Sequence, residues 1–250
     1  MANLIVVKIS GHELDDPAYL AEFASIVAGL HAPVVIVHGG GKSISSVQEQ
    51  MGISPRYADG VRITDAASLS VVEMVLRGLV NTAVVSALVK AGVEAQGMSG
   101  VDRGLVKAEK MLHASEDMGF TGIVAAVRAD VLIDMVDQGV TPVIAPISLG
   151  NDSVYNVNAD QVAAAVAGAL DADRLYLISN VPGVLVNGMI APTLTSEHVE
   201  SLILEGTIFG GMIPKVRSAL DALQNGAKRA VITDLAGLKM GGGTVFTPMT

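Results

Sequence analysis

The chain contains no cysteine and no tryptophan. The first absence excludes disulfides, thiolate nucleophiles and cysteine-based zinc sites. The second, with only four Phe and four Tyr, leaves few rings on which nucleic-acid bases could stack. Cations are also scarce. There are 16 Lys and Arg against 25 Asp and Glu, a formal net charge of -9, and no basic stripe. Nucleic acid is therefore not an expected partner. No apolar run approaches the ~20 residues of a membrane span; the longest covers 162–170 and is mostly alanine and glycine. The five histidines (His12, His31, His38, His113, His198) lack metal-ligand spacing. The start, Met1-Ala2-Asn3-Leu4-Ile5-Val6-Val7, has no basic segment and no long apolar segment. No signal peptide is expected, and the cytoplasm is the expected compartment.

What remains is a chain of 250 residues that is 50% hydrophobic, with mean hydropathy +0.52. That length suits one large or two small domains around a substantial core. An acidic protein that binds anions must gather its few cations locally. Each lysine or arginine beside a glycine turn therefore carries weight.

Strand and helix patterns alternate along the chain. Residues 4–9 form a short, β-branched apolar run ended by Ser10-Gly11, which predicts a buried strand. Residues 17–30 predict a helix with Leu20, Phe23, Ala24 and Val27 on one face. A second buried strand at 34–37 leads into Gly39-Gly40-Gly41, and a helix follows at 42–51. Residues 66–91 read as one long helix with more apolar surface than a single face needs. Further strands are expected at 140–144, 175–178 and 231–233, and helices at 160–170 and 214–224. Gly241-Gly242-Gly243 opens a terminal turn and strand. This alternation predicts an α/β fold, a three-layer αβα sandwich around a mainly parallel central sheet. A soft boundary near Leu170 divides it into 1–170 and 171–250.

Strand, glycine turn and helix together form an anion-binding arrangement, because N–H groups at a helix N-terminus point at the ligand. Two familiar nucleotide motifs fail here. Gly41-Lys42-Ser43 looks like the end of a Walker A loop, but Ile36 occupies the slot of its first glycine. Gly39 and Gly41 start a G-x-G-x-x-G, but Ile44 replaces its last glycine. Each remaining signal also has a plain structural reading. Lys8 could be a solvated strand end, Arg62 a surface ion pair, and Asn156-Val157-Asn158-Ala159-Asp160 a set of helix caps. Lys215 opposes the dipole of its own helix, which makes a purely structural role less natural. Taken together, a glycine turn, two separated cations and one carboxylate suit a transferring phosphoryl group, whose charge must be offset from both sides.

The order of the motifs narrows this further. Lys8-x-Ser10-Gly11, His38-Gly39-Gly40-Gly41, Gly60-Val61-Arg62-Ile63-Thr64-Asp65, Asn156-Val157-Asn158-Ala159-Asp160-Gln161, Ser179-Asn180-Val181-Pro182-Gly183-Val184-Leu185 and Gly210-Gly211-Met212-x-x-Lys215 resemble the amino acid kinase family. The resemblance runs from about Leu4 to the C-terminus and points most directly to the acetylglutamate branch. It implies ATP-dependent phosphorylation of the γ-carboxylate of N-acetyl-L-glutamate, a step of arginine biosynthesis, in a phosphotransferase with a carboxyl acceptor. Lys8 and Lys215 would stabilise the moving phosphoryl group, and Asp160 would hold both ammonium groups. Gly40 and Gly41 would offer N–H groups to the γ-carboxylate. Arg62 and Asn156 would bind the α-carboxylate and its polar neighbours. Gly11, Asn180, Val181, Pro182, Gly183, Val184, Leu185, Thr207, Ile208 and Phe209 would line the nucleotide site. Mg²⁺ would arrive on ATP, with no metal ligands from the chain. Residues 1–170 would bind the acyl substrate and dimerise, and 171–250 would bind nucleotide.

Three departures from the family pattern bear on this reading. Ser10 stands where the first motif usually has glycine, a variant also met in uridylate kinase relatives. Asn180 stands where acetylglutamate kinases usually have aspartate. Ser179-Asn180-Val181-Pro182-Gly183 resembles kinases of carrier-bound α-aminoadipate in lysine biosynthesis, and Leu79-Val80-Asn81 and Met98-Ser99-Gly100-Val101-Asp102 lean the same way. Against that alternative, the Arg62 loop is short, and a -9 chain would attract an acidic carrier poorly. The third departure is that Lys8 lies almost at the N-terminus. That leaves no space for the extra helix that links arginine-inhibited relatives into hexamers. A homodimer without that inhibition is expected, with the 66–91 helix as its contact surface. A non-catalytic ligand-binding or regulatory protein on the same fold is the remaining alternative, because fold does not fix function.

Overall fold

In the computed structural model, residues 3–9 and 14–247 are described. Eight strands form the central sheet. In spatial order they are Thr193–Leu194, Thr244–Phe246, Ala230–Thr233, Arg174–Ile178, Ile5–Ile9, Val34–His38, Thr141–Ala145 and Ala95–Ser99. All neighbours pair in parallel except Ala230–Thr233 with Thr244–Phe246. The strands expected at 4–9, 34–37, 140–144, 175–178 and 231–233 are present within a residue or so of those bounds.

Ile5–Ile9 lies centrally, hydrogen-bonded to Val34–His38 on one side and Arg174–Ile178 on the other. Its five residues are all buried, as expected for a parallel strand covered on both faces. Successive side chains alternate. Ile5, Val7 and Ile9 join the core layer that contains Phe23, Val71, Val75 and Leu88. Leu4 and Val6 join the opposite layer, with Val162, Val166 and Val216. Lys8, two residues after Val6, therefore points toward the layer containing the helix Ala159–Ala169. Strand register alone thus decides which helix the lysine meets.

The long helical stretch is continuous from Ala66 to Lys90 but not uniform. It is α-helical over Ala66–Glu73, widens to a π-helix over Met74–Val80, and returns to α over Asn81–Lys90. Asp65 caps its start by accepting a hydrogen bond from the Ser68 N–H at 2.8 Å. By length and composition this helix could cross a membrane, with mean hydropathy 1.6 over its most apolar window; no apolar run of that length was expected. In the fold, Val71, Val72, Val75, Leu76, Val80, Val84 and Leu88 face the core, while Met74, Leu79 and Val89 remain more than half exposed. One face closes the sheet, and the open side carries these three apolar residues among Ser70, Arg77 and Thr82.

Several elements are additional to the expected pattern. Val106–Lys110, Thr121–Val127, Ile147–Leu149 and Val154–Val157 close into a small barrel. Arg56–Ala58 and Val61–Ile63 form a hairpin whose turn residues, Asp59 and Gly60, have φ of 47° and 80°. A second hairpin pairs Leu185–Val186 with Met189–Ile190.

Candidate active site

A cavity of about 270 Å³ opens at the C-terminal ends of Ile5–Ile9 and Val34–His38. Its walls bring together Lys8, Gly40, Gly41, Arg62, Asn156 and Asp160, although these residues span 152 positions of sequence from first to last (160 minus 8). In a parallel α/β sheet this is where ligands bind, because strand C-termini and helix N-termini converge there.

The glycine turn supplies the floor. The Gly39 N–H donates to the Ile9 carbonyl at 2.8 Å, fixing the turn to the central strand. The helix Gly41–Gln50 starts at once, with Gly40 as its cap residue. Its first-turn N–H groups have no partners within the helix and are directed at the cavity end. Gly40 is closely packed: a Cβ there would sit 2.6 Å from Leu76 Cδ2 and 3.3 Å from Val80 Cγ2, so a larger residue would have to displace the Leu76 side chain. Asp15 accepts from Ser43 Oγ at 2.7 Å and lies 3.6 Å from Lys42 Nζ. A carboxylate beside this helix start complements its dipole.

Arg62 forms the opposite wall. Its guanidinium donates to Gln48 Oε1, to the Gly41 carbonyl at 3.1 Å and to Ser45 Oγ at 2.8 Å. It also lies over the Tyr57 ring, 4.9 Å from the centroid, a favourable cation–π distance. Burial lowers the Arg62 pKa, opposed by the Tyr57 hydroxyl, but a guanidinium stays charged throughout the working pH range. Gln48 is fully buried and itself donates to Ser68 Oγ at 2.9 Å. The arginine is thus held in one orientation. Three of its five N–H donors are used by these contacts, which leaves two for a ligand. Asn156 Nδ2 donates to Thr64 Oγ1 at 3.0 Å, and Thr121 Oγ1 donates to the Arg62 carbonyl at 2.6 Å. These two bonds tie the hairpin to the barrel.

The two lysines are held differently. Lys8 Nζ lies 2.7 Å from Asp160 Oδ1, and only 8% of the lysine side chain is exposed. Asp160 occupies the first turn of Ala159–Ala169, where Asn158 accepts from its N–H at 2.7 Å. Lys215, in the first turn of Met212–Gln224, donates to Ser179 Oγ and, at 2.8 Å, to Asn180 Oδ1. Both of these side chains stand just after Arg174–Ile178.

Of the residues expected to line a nucleotide site, Gly11 lies outside the described residues. Gly183 is tightly enclosed, with Ile190 Cγ2 2.7 Å and Thr244 Oγ1 2.8 Å from where its Cβ would be. Val184 is buried, and its N–H donates to Thr244 Oγ1 at 2.8 Å. Ile208 is also buried. Leu185 and Phe209 are 50% and 72% exposed. Asn180, Val181, Pro182 and Thr207 lie in the connecting loops. Among the described residues, no group of three or more His, Asp or Glu converges as metal ligands.

Sequence reasoning missed Tyr57, Gln48 and Ser45. The signal was present. Asp59-Gly60 between short β-prone runs is a hairpin turn, and that hairpin pairs Tyr57 directly with Arg62.

The model of the amino acid kinase family matches residues 3–234. An acetylglutamate kinase of Roseiflexus sp. (strain RS-1) is 51% identical over 243 residues, 97% of this chain and 93% of that protein. An acetylglutamate kinase of Chloroflexus aurantiacus (strain J-10-fl) is 50% identical over 249 residues, 99% and 98% of the two chains. Among solved structures, smu.665 from Streptococcus mutans UA159 superposes with a TM-score of 0.82 at 31% identity, covering 99% of both chains.

Proposed function

The chain belongs to the amino acid kinase family, and from that premise we propose how its site works. Its reaction is the ATP-dependent phosphorylation of the γ-carboxylate of N-acetyl-L-glutamate, a step of arginine biosynthesis. Ser10 and Asn180 are accordingly variations within the acetylglutamate branch. The observation that carries the site assignment is the cavity itself. It joins a glycine turn, a fixed arginine and a buried lysine–carboxylate pair.

N-acetyl-L-glutamate is read as lying between Arg62 and the glycine turn. The Arg62 guanidinium meets its α-carboxylate through a charge-assisted hydrogen bond, and Asn156 meets its neighbouring polar atoms. Its γ-carboxylate faces the N–H groups of Gly40 and Gly41. That carboxylate is already ionised at neutral pH, so no general base is needed. One carboxylate oxygen forms a bond to the γ-phosphorus of ATP while the bond from that phosphorus to the bridging oxygen breaks. ADP leaves with the electron pair, and the acyl phosphate remains. The obstacle is repulsion between two anions, and the protein answers it with positioning and positive charge. Lys8, held by Asp160, offsets charge from the acyl side. Lys215 offsets it from the nucleotide side, exchanging Ser179 and Asn180 for phosphate oxygens.

The nucleotide side comprises Gly11, Asn180, Val181, Pro182, Gly183, Val184, Leu185, Thr207, Ile208 and Phe209. Mg²⁺ enters as part of the MgATP substrate, where it offsets phosphate charge. Residues 1–170 act as the acyl lobe and 171–250 as the nucleotide lobe. The exposed face of Ala66–Lys90, with Met74, Leu79 and Val89, pairs two copies into a homodimer. The cytoplasm is the compartment consistent with a biosynthetic kinase of this family.

The test is product trapping. With MgATP and hydroxylamine, hydroxamate should form from N-acetyl-L-glutamate and not from N-acetyl-L-aspartate or N-acetyl-L-α-aminoadipate. Equal hydroxamate from all three would remove the assignment of Arg62 and the glycine turn as a length gauge.

A further inference from the structure

We propose that His38 and Asn81 are positioning residues that lock the Gly39–Gly40 peptide with its N–H aimed at the acyl carboxylate. The proposal rests on the reading of Gly40 as a carboxylate donor and adds two side chains that touch no substrate.

Both residues are buried, His38 at 0% and Asn81 at 5% exposure. Asn81 Nδ2 lies 3.0 Å from the Val143 carbonyl and 3.0 Å from His38 Nε2. A carbonyl can only accept, so the Asn81 atom facing it is the amide nitrogen. The two hydrogens of that NH₂ then have one acceptor each. His38 Nε2 must accept, and so it carries no proton. A neutral imidazole then has its proton on Nδ1. Nδ1 is 2.9 Å from the Gly39 carbonyl oxygen and donates to it. The geometry thus fixes the tautomer without reference to pH. Burial also pushes the His38 pKa down to about 4, against a backbone hydrogen bond that raises it, which keeps the ring neutral under working conditions.

The consequence lies in the next bond. Gly39 C=O and Gly40 N–H belong to one peptide unit, and the chain has no cis peptide among the described residues. In a trans peptide these two groups point in opposite directions. Anchoring the carbonyl to a buried ring sends the N–H away from the core, on the side where Gly40 lines the cavity. The same helix supplies a second hold, because Leu76 and Val80 pack against Gly40. Asn81 is accommodated only because residue 97 is glycine; a Cβ there would overlap Asn81 Oδ1.

The test compares His38→Leu, His38→Asn and Asn81→Ala, with both substrates varied in initial-rate kinetics. Leucine keeps the bulk and loses the donor. Asparagine places an amide nitrogen near the Nδ1 position and restores it. His38→Leu should raise KM for N-acetyl-L-glutamate on the order of tenfold, the size of one weakened hydrogen bond to a charged group. KM for ATP should move less than about twofold, by the same arithmetic. His38→Asn should recover most of the loss, and Asn81→Ala should fall between. A purely structural pair would move both KM values and the melting temperature together, with no rescue, and that result would overturn the proposal. If His38→Leu does not fold, ¹⁵N NMR of the unaltered protein decides. A proton on Nδ1 supports the proposal, and a proton on Nε2 overturns it. Arg62→Ala serves as the separate control. If it leaves KM for N-acetyl-L-glutamate unchanged, the acyl-site reading itself has failed. If Arg62→Ala raises that KM while His38→Leu does not, only the positioning proposal is lost.

Discussion

The two sides of the phosphoryl-transfer path are built in different ways. On the acyl side, nearly every polar group is already fixed by another. Arg62 is held by Gln48, Ser45 and Tyr57, Asn156 by Thr64, and Lys8 by Asp160. On the nucleotide side, Leu185 on a two-residue hairpin strand and Phe209 in a loop stand exposed, and Lys215 reaches the Ser179 and Asn180 side chains. The contrast follows from the ligands. A small dianion offers few atoms, so selectivity requires donors set in advance. ATP is large and brings its own metal and many contacts, so its side can be assembled as it binds.

Perturbing each side in turn should give effects of very different size. The largest should come from Lys8→Ala. Removing a positioned charge at the transferring group should lower kcat by about 10²–10³-fold, while N-acetyl-L-glutamate affinity changes far less. Steady-state kinetics beside a binding titration check this, and unchanged turnover would defeat the assignment of Lys8. Lys215→Ala should act in the same direction.

A second effect is on stability and concerns the floor beneath the acyl site. His38 has its pKa lowered by burial from 6.5 to about 4. The unfolded chain therefore binds a proton in that interval that the folded chain does not. The contribution is complete above pH 6.5 and is lost as pH falls toward 4. A gap of this size corresponds to about 3 kcal/mol. Denaturant melts between pH 7 and 4.5 should lose about 2 kcal/mol more stability in the parent than in His38→Asn, most of that gap. Parallel pH curves would contradict it.

Arg62→Ala should raise KM for N-acetyl-L-glutamate by about 10²-fold, or roughly 2–3 kcal/mol for a hydrogen bond to a charged group. It should leave KM for ATP nearly unchanged. Arg62→Lys should recover little, because an ammonium cannot at once reach Gln48, Ser45 and the Gly41 carbonyl as the planar guanidinium does. The smallest change should be Phe209→Ala, a few-fold rise in KM for ATP from about 1 kcal/mol of lost ring contact. A larger effect for Phe209 than for Arg62 would reverse the contrast between the two sides.

What could be read from the sequence followed the same division. The strand Ile5–Ile9 was legible because it is a continuous β-branched run with both faces buried. The glycine turn was legible because it follows such a strand and opens a helix. The barrel strand Val106–Lys110 was not, since its exposed charges mask a single buried face. The π-helical turn at Met74–Val80 left no signal either, as its residues satisfy ordinary helical spacing. The hold on Arg62 was partly readable through Asp59-Gly60. The His38–Asn81 contact was not, because 43 residues separate its members and nothing local links them. Ligand-facing residues sit in ordered motifs, whereas the residues that support them are brought in by tertiary packing.

The most direct test of a preformed acyl site is a calorimetric titration of N-acetyl-L-glutamate into the protein without nucleotide. The account predicts saturable one-site binding, with an affinity that ATP analogues change only a few-fold and that Arg62→Ala weakens by about 10²-fold. Binding that occurs only once nucleotide is present would contradict it, because the acyl site would then be assembled by ATP and not set in advance by the fold.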